Sequence, residues 1–465
     1  MIPIIILALS SISHFVHYGK PASVVFDEVF YGNFASSYLQ GNYFFDLHPP
    51  FVKLLFAFVG KIFNIERFII DWSSIGNSIP IEVVVLRTLP MIAGLLLPII
   101  VYAICRRLDF SKTASFIGAL LIILENSLTV QSRYILPDII MLSTGFSSIL
   151  FYLEYVKRIG LQNKSWFIAI STVLAGVTLS IKWTGATFLI LILIMEIARL
   201  YFDSTKFLKL IRESALFCSK YLIISLIIYV SLFFVHFKIL PNSGSGDVFM
   251  SQRFQKTLIG NQNYNDPYLE NTSFIENFTE LNRVMFTSSS GMTATHPNSS
   301  KWYTWPIMHR SIFYWQDSTA SADPEPKRSY IYLLGNPFIY WLGTLSILTL
   351  ILLSIFKLLT KRSLSNDPET SKVMLFLIIG YLANLLPFAL IGRVMFLYHY
   401  ETALVFSIIA IGYFVDLLQP RKKVYAIVFI AIITLSAFIY WSPLTYGTPI
   451  TDKQLQSRMW LKSWR

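Results

Sequence analysis

The chain has 465 residues, of which 54% are hydrophobic and 14% are charged, with a net charge of +12. Because a soluble domain carries roughly 25% charged residues, this composition excludes a disordered protein, a soluble enzyme and a disulfide-rich secreted module, and it indicates an all-α polytopic membrane protein. The positive charge does not indicate nucleic-acid binding, because the basic residues lie mostly between apolar segments, where they set membrane topology.

Eleven apolar segments are candidates for spanning helices, each of which needs roughly 20 residues. In chain order they are 2–17, 82–104, 113–128, 134–153, 166–181, 184–201, 216–237, 330–356, 372–391, 396–418 and 424–441. The first segment also has the length of a signal peptide. It lacks a basic n-region and an Ala-x-Ala cleavage site, so we favour a retained first helix.

Lys and Arg residues predict the orientation of these spans. Five short windows between spans (105–112, 154–165, 199–215, 357–372 and 419–423) hold 17 of the 38 Lys and Arg residues. With eleven spans, all five windows lie on one face, which we assign to the cytoplasm. The N-terminus is then cytoplasmic and the C-terminus external. The basic residues are Arg106, Arg107, Lys112, Lys157, Arg158, Lys164, Arg199, Lys206, Lys209, Arg212, Lys357, Lys361, Arg362, Lys372, Arg421, Lys422 and Lys423.

The opposite face receives three long segments, which are external in this topology. They are the loop 18–81, the loop 238–329 and the tail 442–465, all within a single transmembrane domain 1–465. The second loop is polar and rich in Gly, Asn, Ser and Pro, so we expect an irregular segment with at most small amphipathic helices on the membrane surface. Trp460 and Trp464 of the tail, with neighbouring basic residues, predict an interfacial segment.

Charged and histidine residues beside the external ends of spans are candidates for function, because ionisable groups are costly at membrane depth. Asp27 and Glu28 are adjacent carboxylates just after the first span. His48 is followed by two prolines, which stop a helix from running through it, and then by Lys53. Taken singly, these residues favour plainer interpretations, namely a solvated loop carboxylate and an ordinary helix-start turn.

Together these residues resemble the start of the protein O-mannosyltransferase family, membrane glycosyltransferases that use a polyprenyl-phosphate mannose donor. The family pattern is an Asp-Glu pair after the first helix and then Asp-x-His-Pro-Pro-x-x-Lys, which here is Asp27-Glu28 followed by Asp46 to Lys53. The resemblance continues along the chain and covers all of it. Further matching blocks contain Arg87, Glu125 to Asp138 with Arg133, Lys182-Trp183, His296 to Pro306, Gly335-Asn336-Pro337, Arg393 and Tyr398-His399-Tyr400.

The resemblance implies a GT-C-type architecture and transfer of mannose to Ser or Thr hydroxyls of exported proteins, with inversion at C1. It implies that Asp27 is the general base and that Glu28 orients the acceptor or a neighbouring cation, although a structural salt bridge stays open for Glu28. Residues implied for the donor phosphate and sugar are Arg87, Arg133, Asp138, Lys182, Arg393 and His399. His48, Trp183 and Tyr398 are implied for the acceptor or sugar pocket, with structural histidines and interfacial tryptophans as open alternatives.

The chain departs from the family pattern at Phe30, where His is frequent, at Glu125, where Asp is usual, and at Glu401, where an apolar residue is commoner. Eukaryotic members carry a β-trefoil-type MIR domain after the seventh span. The loop 238–329 has no such insert, so the resemblance is to the prokaryotic type. Zinc-type, Walker and Asp-x-Asp patterns are absent from the sequence, so we expect no cofactor and find no support for a divalent metal.

Three other classes compete with this interpretation. One is a GT-C glycosyltransferase that uses a lipid-phosphate sugar but acts on a lipid or glycan acceptor. Another is a secondary transporter, although no similarity between chain halves is visible. The third is a non-catalytic scaffold. The expected partners are the lipid-phosphate mannose, a Ser/Thr-containing protein and membrane lipids, and the sequence leaves open whether the chain forms a dimer.

Overall fold

Helices dominate the computed structural model, which describes residues 1–161, 164–203, 206–291, 295–317, 325–360 and 368–465. In that part of the chain the α-helices are α1 (Ile2–Phe15), α2 (Glu28–Gln40), α3 (Phe51–Ile62), α4 (Thr88–Arg107), α5 (Lys112–Ile123), α6 (Asn126–Gln131), α7 (Asp138–Lys157), α8 (Lys164–Leu179), α9 (Ala186–Asp203), α10 (Phe207–Ile239), α11 (Gln252–Gln255), α12 (Phe274–Ser290), α13 (Pro337–Thr360), α14 (Pro368–Ala383), α15 (Glu401–Asp416), α16 (Pro420–Tyr446) and α17 (Asp452–Arg458).

Every predicted span coincides with an apolar helix. The matching helices are α1, α4, α5, α7, α8, α9, α10, α13, α14, α15 and α16. Within the described residues, eight helical segments are long and apolar enough to cross a membrane, whereas α1, α5 and α8 are shorter. The all-α polytopic class is therefore confirmed. The predicted start of the eighth span at residue 330 is wrong, because residues 330–333 form a strand and α13 begins at Pro337.

The helices differ in how far the protein itself covers them. The most apolar window of α15 is 83% buried, whereas those of α10, α13 and α16 are 17–22% buried. An apolar helix that is not packed against the rest of the protein is suited to contact lipid, because its apolar side chains can face hydrocarbon and its backbone groups are hydrogen-bonded within the helix. The interior of the bundle is thus built on α15 and its neighbours.

Several basic loops meet at one end of the bundle. Lys157 pairs with Asp109 at 2.6 Å and Arg107 pairs with Glu154, so the loops after α4 and α7 touch. Lys423 pairs with Asp416 at 2.8 Å, next to the loop after α4. Windows 105–112, 154–165 and 419–423 therefore share one face, as predicted. Lys361 and Arg362 lie outside the described residues, and the assignment of this face to the cytoplasm stays a prediction.

The segments at the other end are more ordered than the sequence indicates. Strand β1 (Ile312–Gln316) pairs antiparallel with β3 (Tyr330–Leu333), and Ile312 lies opposite Leu333. Strand β2 (Lys327–Arg328) pairs with β4 (Ile450–Thr451), which joins the loop to the tail. The small helices expected in this loop are present as α11 and α12 and no further span is found among its described residues, whereas the two strand pairs were not predicted. Residues 292–294 and 318–324 of that loop lie outside the described part.

The tail also departs from its prediction. Trp464 is fully buried, and its indole nitrogen donates a hydrogen bond to the Met308 carbonyl at 2.7 Å. Trp460 is half-exposed. The expectation of an interfacial tryptophan is thus wrong for Trp464, which anchors the tail to the protein because its N–H has found a buried acceptor.

Candidate active site

A cavity of about 390 Å³ lies among the loops and helix ends that carry the sequence motifs. Asp138 begins α7 and Glu401 begins α15, and both line the cavity. The other ends of these two helices contact the basic loops, so the cavity lies at the opposite end of the bundle. Its walls bring together seven of the predicted site residues, namely His48, Asp138, Lys182, Trp183, Arg393, Tyr398 and His399.

Lys182 and Asp138 form the charged pair of the cavity. The ammonium donates hydrogen bonds to both carboxylate oxygens of Asp138, at 2.7 and 2.8 Å. Lys182 precedes a 3-10 turn and lies 5.2 Å from the centroid of the Tyr398 ring. Such a pair leaves a cationic side chain fixed at the wall, with part of its charge balanced.

Arg393 is the second cation of the cavity wall. Within the described part of the chain its guanidinium has no hydrogen bond or ion pair, and its side chain is half-buried. An arginine held at a cavity with its planar donors unused is suited to a phosphate, which accepts parallel N–H bonds.

Asp27 precedes α2, is half-buried and lies near the same charges, although it is not among the residues that line the cavity. Burial raises its pKa from 3.8 to about 7; the Lys182 charge opposes this rise, and the Asp138 and Asp46 charges add to it. A carboxylate with a pKa near neutrality is a better proton acceptor than an ordinary aspartate and is still largely ionised at slightly alkaline pH. The sequence prediction of a general base at this position is therefore chemically reasonable.

His48 lies between α2 and α3, where Lys53 fixes the turn. Lys53 is buried, pairs with Asp46 and donates to the His48 carbonyl at 2.6 Å. Burial, with the nearby charges of Lys182, Lys53 and Arg393, holds the pKa of His48 well below its usual range. His48 is therefore a neutral imidazole that can exchange hydrogen bonds without carrying charge.

Glu28 and Arg87 form a fully buried ion pair. The carboxylate accepts from the guanidinium at 2.8 and 2.6 Å and from the amides of Val25 and Ile135, each at 2.9 Å. Arg87 also donates to three carbonyls at residues 19, 21 and 23, which occupies its remaining N–H groups. This geometry favours a positioning role for both residues over direct contact with acceptor or phosphate, because neither has a free face.

Arg133 does not line the cavity in the described structure. It donates to the carbonyls of Val16 and His17 at 2.7 and 2.6 Å, and its guanidinium stacks 4.8 Å from the Tyr446 ring centroid. The side chain joins the end of α1 to α16 instead. The structure thus gives no support to the expectation that Arg133 binds the donor phosphate.

Aromatic residues form one wall of the cavity. The His399 ring stacks on Tyr398 at 4.5 Å and on Trp305 at 5.8 Å, and its Nδ1 lies 3.0 Å from the Phe396 carbonyl. Trp183 lines the cavity and donates from its indole to the Tyr229 hydroxyl at 2.9 Å. Trp305 is fully buried behind His399, so it supports the wall and presents no open ring face.

Comparison with known proteins agrees with these motifs. Residues 4–241 match the family model for dolichyl-phosphate-mannose-protein mannosyltransferase, and residues 274–464 match that for the C-terminal four-transmembrane region of protein O-mannosyltransferase. The chain belongs to the protein O-mannosyltransferase family.

Similar proteins of this family include dolichyl-phosphate-mannose--protein mannosyltransferase 4 of Candida albicans, which is 34% identical over 55% of this chain. Mannosyltransferase 4 of Schizosaccharomyces pombe is 30% identical over 63% of the chain. The alignments cover 35% and 38% of these two relatives, so the chain spans just over a third of their length.

Solved structures show the fold. The Saccharomyces cerevisiae protein O-mannosyltransferase Pmt1-Pmt2 complex bound to the sugar donor matches with a TM-score of 0.90 and 20% identity, over 100% of this chain and 92% of that one. ArnT from Cupriavidus metallidurans matches with a TM-score of 0.56 and 12% identity, over 96% and 76% of the two chains. The predicted GT-C architecture is therefore confirmed for this member of the protein O-mannosyltransferase family.

Sequence reasoning missed part of the cavity. Glu401 lines the wall and entered the sequence analysis only as a departure from the family pattern. Phe286, Ser289 and Ser290 of α12 come from the loop 238–329 and close one side. No local pattern identifies these α12 residues as cavity residues, although the ionisable Glu401 at the start of an apolar helix is a detectable signal.

Proposed function

We propose that this chain transfers mannose from a polyprenyl phosphate mannose, of dolichyl type, to Ser or Thr hydroxyls of exported proteins. Membership of the protein O-mannosyltransferase family supports the reaction class. The observation that carries the proposal is a carboxylate with a pKa near 7, Asp27, which does not line the cavity itself but feels the charges of Lys182 and Asp138 in its wall, where Arg393 is the second cation.

In the proposed reaction the acceptor hydroxyl attacks C1 of the mannose from the side opposite to the phosphate. Asp27 takes the hydroxyl proton while the new oxygen–C1 bond forms and the C1–phosphate-oxygen bond breaks, which inverts C1. The lipid phosphate leaves with the bonding electrons and needs no general acid. Arg393 and Lys182 stabilise its charge, and Arg393 is the better matched because its N–H donors are unused.

The remaining residues have supporting roles in this proposal. The Glu28–Arg87 pair holds the backbone just before Asp27, at the Ser23 carbonyl and the Val25 amide, and so fixes the direction of the base. Asp138 orients Lys182 through two hydrogen bonds. His48, His399, Tyr398 and Trp183 form the wall against which the sugar and the acceptor lie, and the neutral His48 exchanges hydrogen bonds with hydroxyls.

We further propose that the protein lies in the cell membrane with this cavity on the external face, that it is of the prokaryotic type, and that it dimerises. The basic loops clustered at the other end of the bundle support the sidedness. Between α10 and α13 the described residues form short helices and a hairpin, which supports the prokaryotic type. The fold shared with a protein from the Pmt1-Pmt2 complex supports a dimer.

The proposal is tested with membranes or purified protein, radiolabelled polyprenyl-phosphate mannose and a Ser/Thr peptide. We expect alkali-labile mannose on the peptide, with the anomeric configuration opposite to that of the donor. Asp27→Asn should lower the transfer rate by about two to four orders of magnitude, and Asp109→Asn at the opposite end of the bundle is the control. Label recovered on a lipid or glycan, with none on peptide, would contradict protein mannosylation and support another GT-C reaction.

A further inference from the structure

Glu401 has an unusual position for a carboxyl group. It is the first residue of α15, is 1% exposed and lines the same cavity as Lys182 and Asp138. Both of its carboxyl oxygens are buried, and neither has a hydrogen-bond partner among the described residues. The proposed mechanism gives this group no task.

Several polar groups around Glu401 already have partners, whereas the buried Tyr314 hydroxyl, which interacts electrostatically with Glu401, has none among the described residues. Asp138 accepts two hydrogen bonds from Lys182. Asn384 accepts from Thr187 at 2.6 Å and donates to the Gly380 carbonyl at 2.8 Å. The Ser127 hydroxyl lies beside Glu401 and donates to Glu125 at 3.1 Å. Glu401, like Arg393, is thus a cavity-wall residue whose hydrogen-bonding groups have no partner among the described residues.

A buried carboxyl group without a partner is unfavourable, because its lost hydration is not replaced. A group of this kind on the wall of a cavity gains a hydrogen-bond partner when a ligand of suitable chemistry binds there. The ligand atom has to be one that hydrogen-bonds a carboxyl group in a protein interior.

The charges around Glu401 indicate whether the ligand atom that meets it belongs to the phosphate or to the sugar. Asp138, Glu125 and any ionised form of Glu401 repel a phosphate, and Lys182, the cation that acts on Glu401, already donates to both carboxylate oxygens of Asp138. Arg393 of the same wall has unused N–H donors and is the better match for the phosphate. A sugar hydroxyl both donates and accepts, so it matches a carboxyl group in either protonation state.

We infer that Glu401 is a specificity-determining residue that hydrogen-bonds a hydroxyl group of the donor sugar. This inference rests on the proposed use of a lipid-phosphate sugar. It assigns the sugar to the end of the cavity at Glu401 and the phosphate to Arg393. Such a site discriminates against sugars that lack this hydroxyl, because binding them would leave the buried carboxyl group without a hydrogen-bond partner.

The test compares binding of two lipids by purified protein in detergent, polyprenyl phosphate mannose and bare polyprenyl phosphate. Glu401→Leu keeps a side chain of similar size and removes the carboxyl group. We expect it to bind the sugar-bearing lipid about tenfold more weakly than the wild type, equivalent to about 1.4 kcal/mol, with unchanged binding of bare polyprenyl phosphate. Glu401→Gln keeps hydrogen-bonding atoms, so it should retain most of the affinity for the sugar-bearing lipid.

Deoxy-mannose donors locate the contact. One of them should bind the wild type about tenfold more weakly than the parent donor and should bind Glu401→Leu as well as the parent does. Equal weakening of both lipids in Glu401→Leu, or no weakening of either, would overturn the inference. A wild type that binds the mannosyl lipid through Glu401 but transfers no mannose to peptide would refute the proposed function and leave the inference standing.

Discussion

The pH dependence of transfer is the sharpest consequence of the environment of Asp27. Burial raises its pKa from 3.8 to about 7, so the basic form accumulates as the pH rises through neutrality. A single group with this pKa is about 9% ionised at pH 6 and about 91% at pH 8, so kcat/KM should rise about tenfold across this range. An aspartate with an ordinary pKa would be ionised throughout and would give a flat profile.

The assay measures kcat/KM for mannosyl transfer to a peptide between pH 5.5 and 8.5. Asp27→Asn should lower the rate by about two to four orders of magnitude and remove the rise, since the amide cannot accept the proton. Substitution of the two neighbouring charged residues should shift the midpoint of this pH-dependent rise in opposite directions. Lys182→Met should move it to higher pH and Asp138→Asn to lower pH, because Lys182 lowers and Asp138 raises the pKa of Asp27. A flat wild-type profile, or an unchanged rise in Asp27→Asn, would refute the assignment of the base.

Three further predictions follow from other parts of the structure. Arg393→Lys keeps the positive charge but loses the planar guanidinium that donates two parallel N–H bonds, so activity should fall. Arg393→Ala should also weaken binding of polyprenyl phosphate. Unchanged lipid affinity in the Ala variant would remove Arg393 from the site. Glu28→Gln should destabilise the protein by roughly 3–5 kcal/mol, seen as a lower Tm in detergent, because the Arg87 charge stays buried without its partner; a Tm equal to that of the wild type would contradict this. Reporter fusions after residues 110, 160, 208, 365 and 421 should report the cytoplasm and those within 240–320 the exterior, with position 365 outside the described residues; an external signal at 208 would break the eleven-span topology.

The apolar helices could be predicted from the sequence because their signal is local. A run of apolar residues long enough to span hydrocarbon has few other uses, so hydropathy locates α10 or α13 without knowledge of its neighbours. The motif residues were predicted by resemblance, and the structure brings His48, Lys182 and Arg393 to one cavity although they are far apart in the chain.

What could not be predicted depends on partners that are distant in sequence. Strand β1 pairs with β3 across an intervening segment, and neither strand has a partner that adjacent residues would reveal. Trp464 shows the same problem, because its sequence context is that of an interfacial tryptophan and only the Met308 carbonyl makes it a buried one. Arg87 likewise has the residue type of a phosphate ligand, and its actual role depends on Glu28, 59 residues away.

The short helices show how the bundle tolerates polar groups at membrane depth. Helix α5 has 12 residues, about 18 Å at 1.5 Å per residue, which is well short of the roughly 30 Å hydrocarbon core. The helix ends at Ile123, and the Glu125 carboxyl caps the next helix, α6, by accepting a hydrogen bond from the Ser127 amide at 3.0 Å.

The same carboxyl of Glu125 accepts from the Asn336 amide at 3.0 Å, just before α13. A broken helix is stable inside a membrane protein when side chains satisfy the backbone groups that the break releases. Glu125 and Glu401 are both buried carboxyl groups at helix starts, and they differ in one respect: the first has its partners within the protein, and the second has none among the described residues. Glu125 therefore joins parts of the bundle to one another, whereas Glu401, as we infer above, obtains its hydrogen-bond partner from a bound ligand.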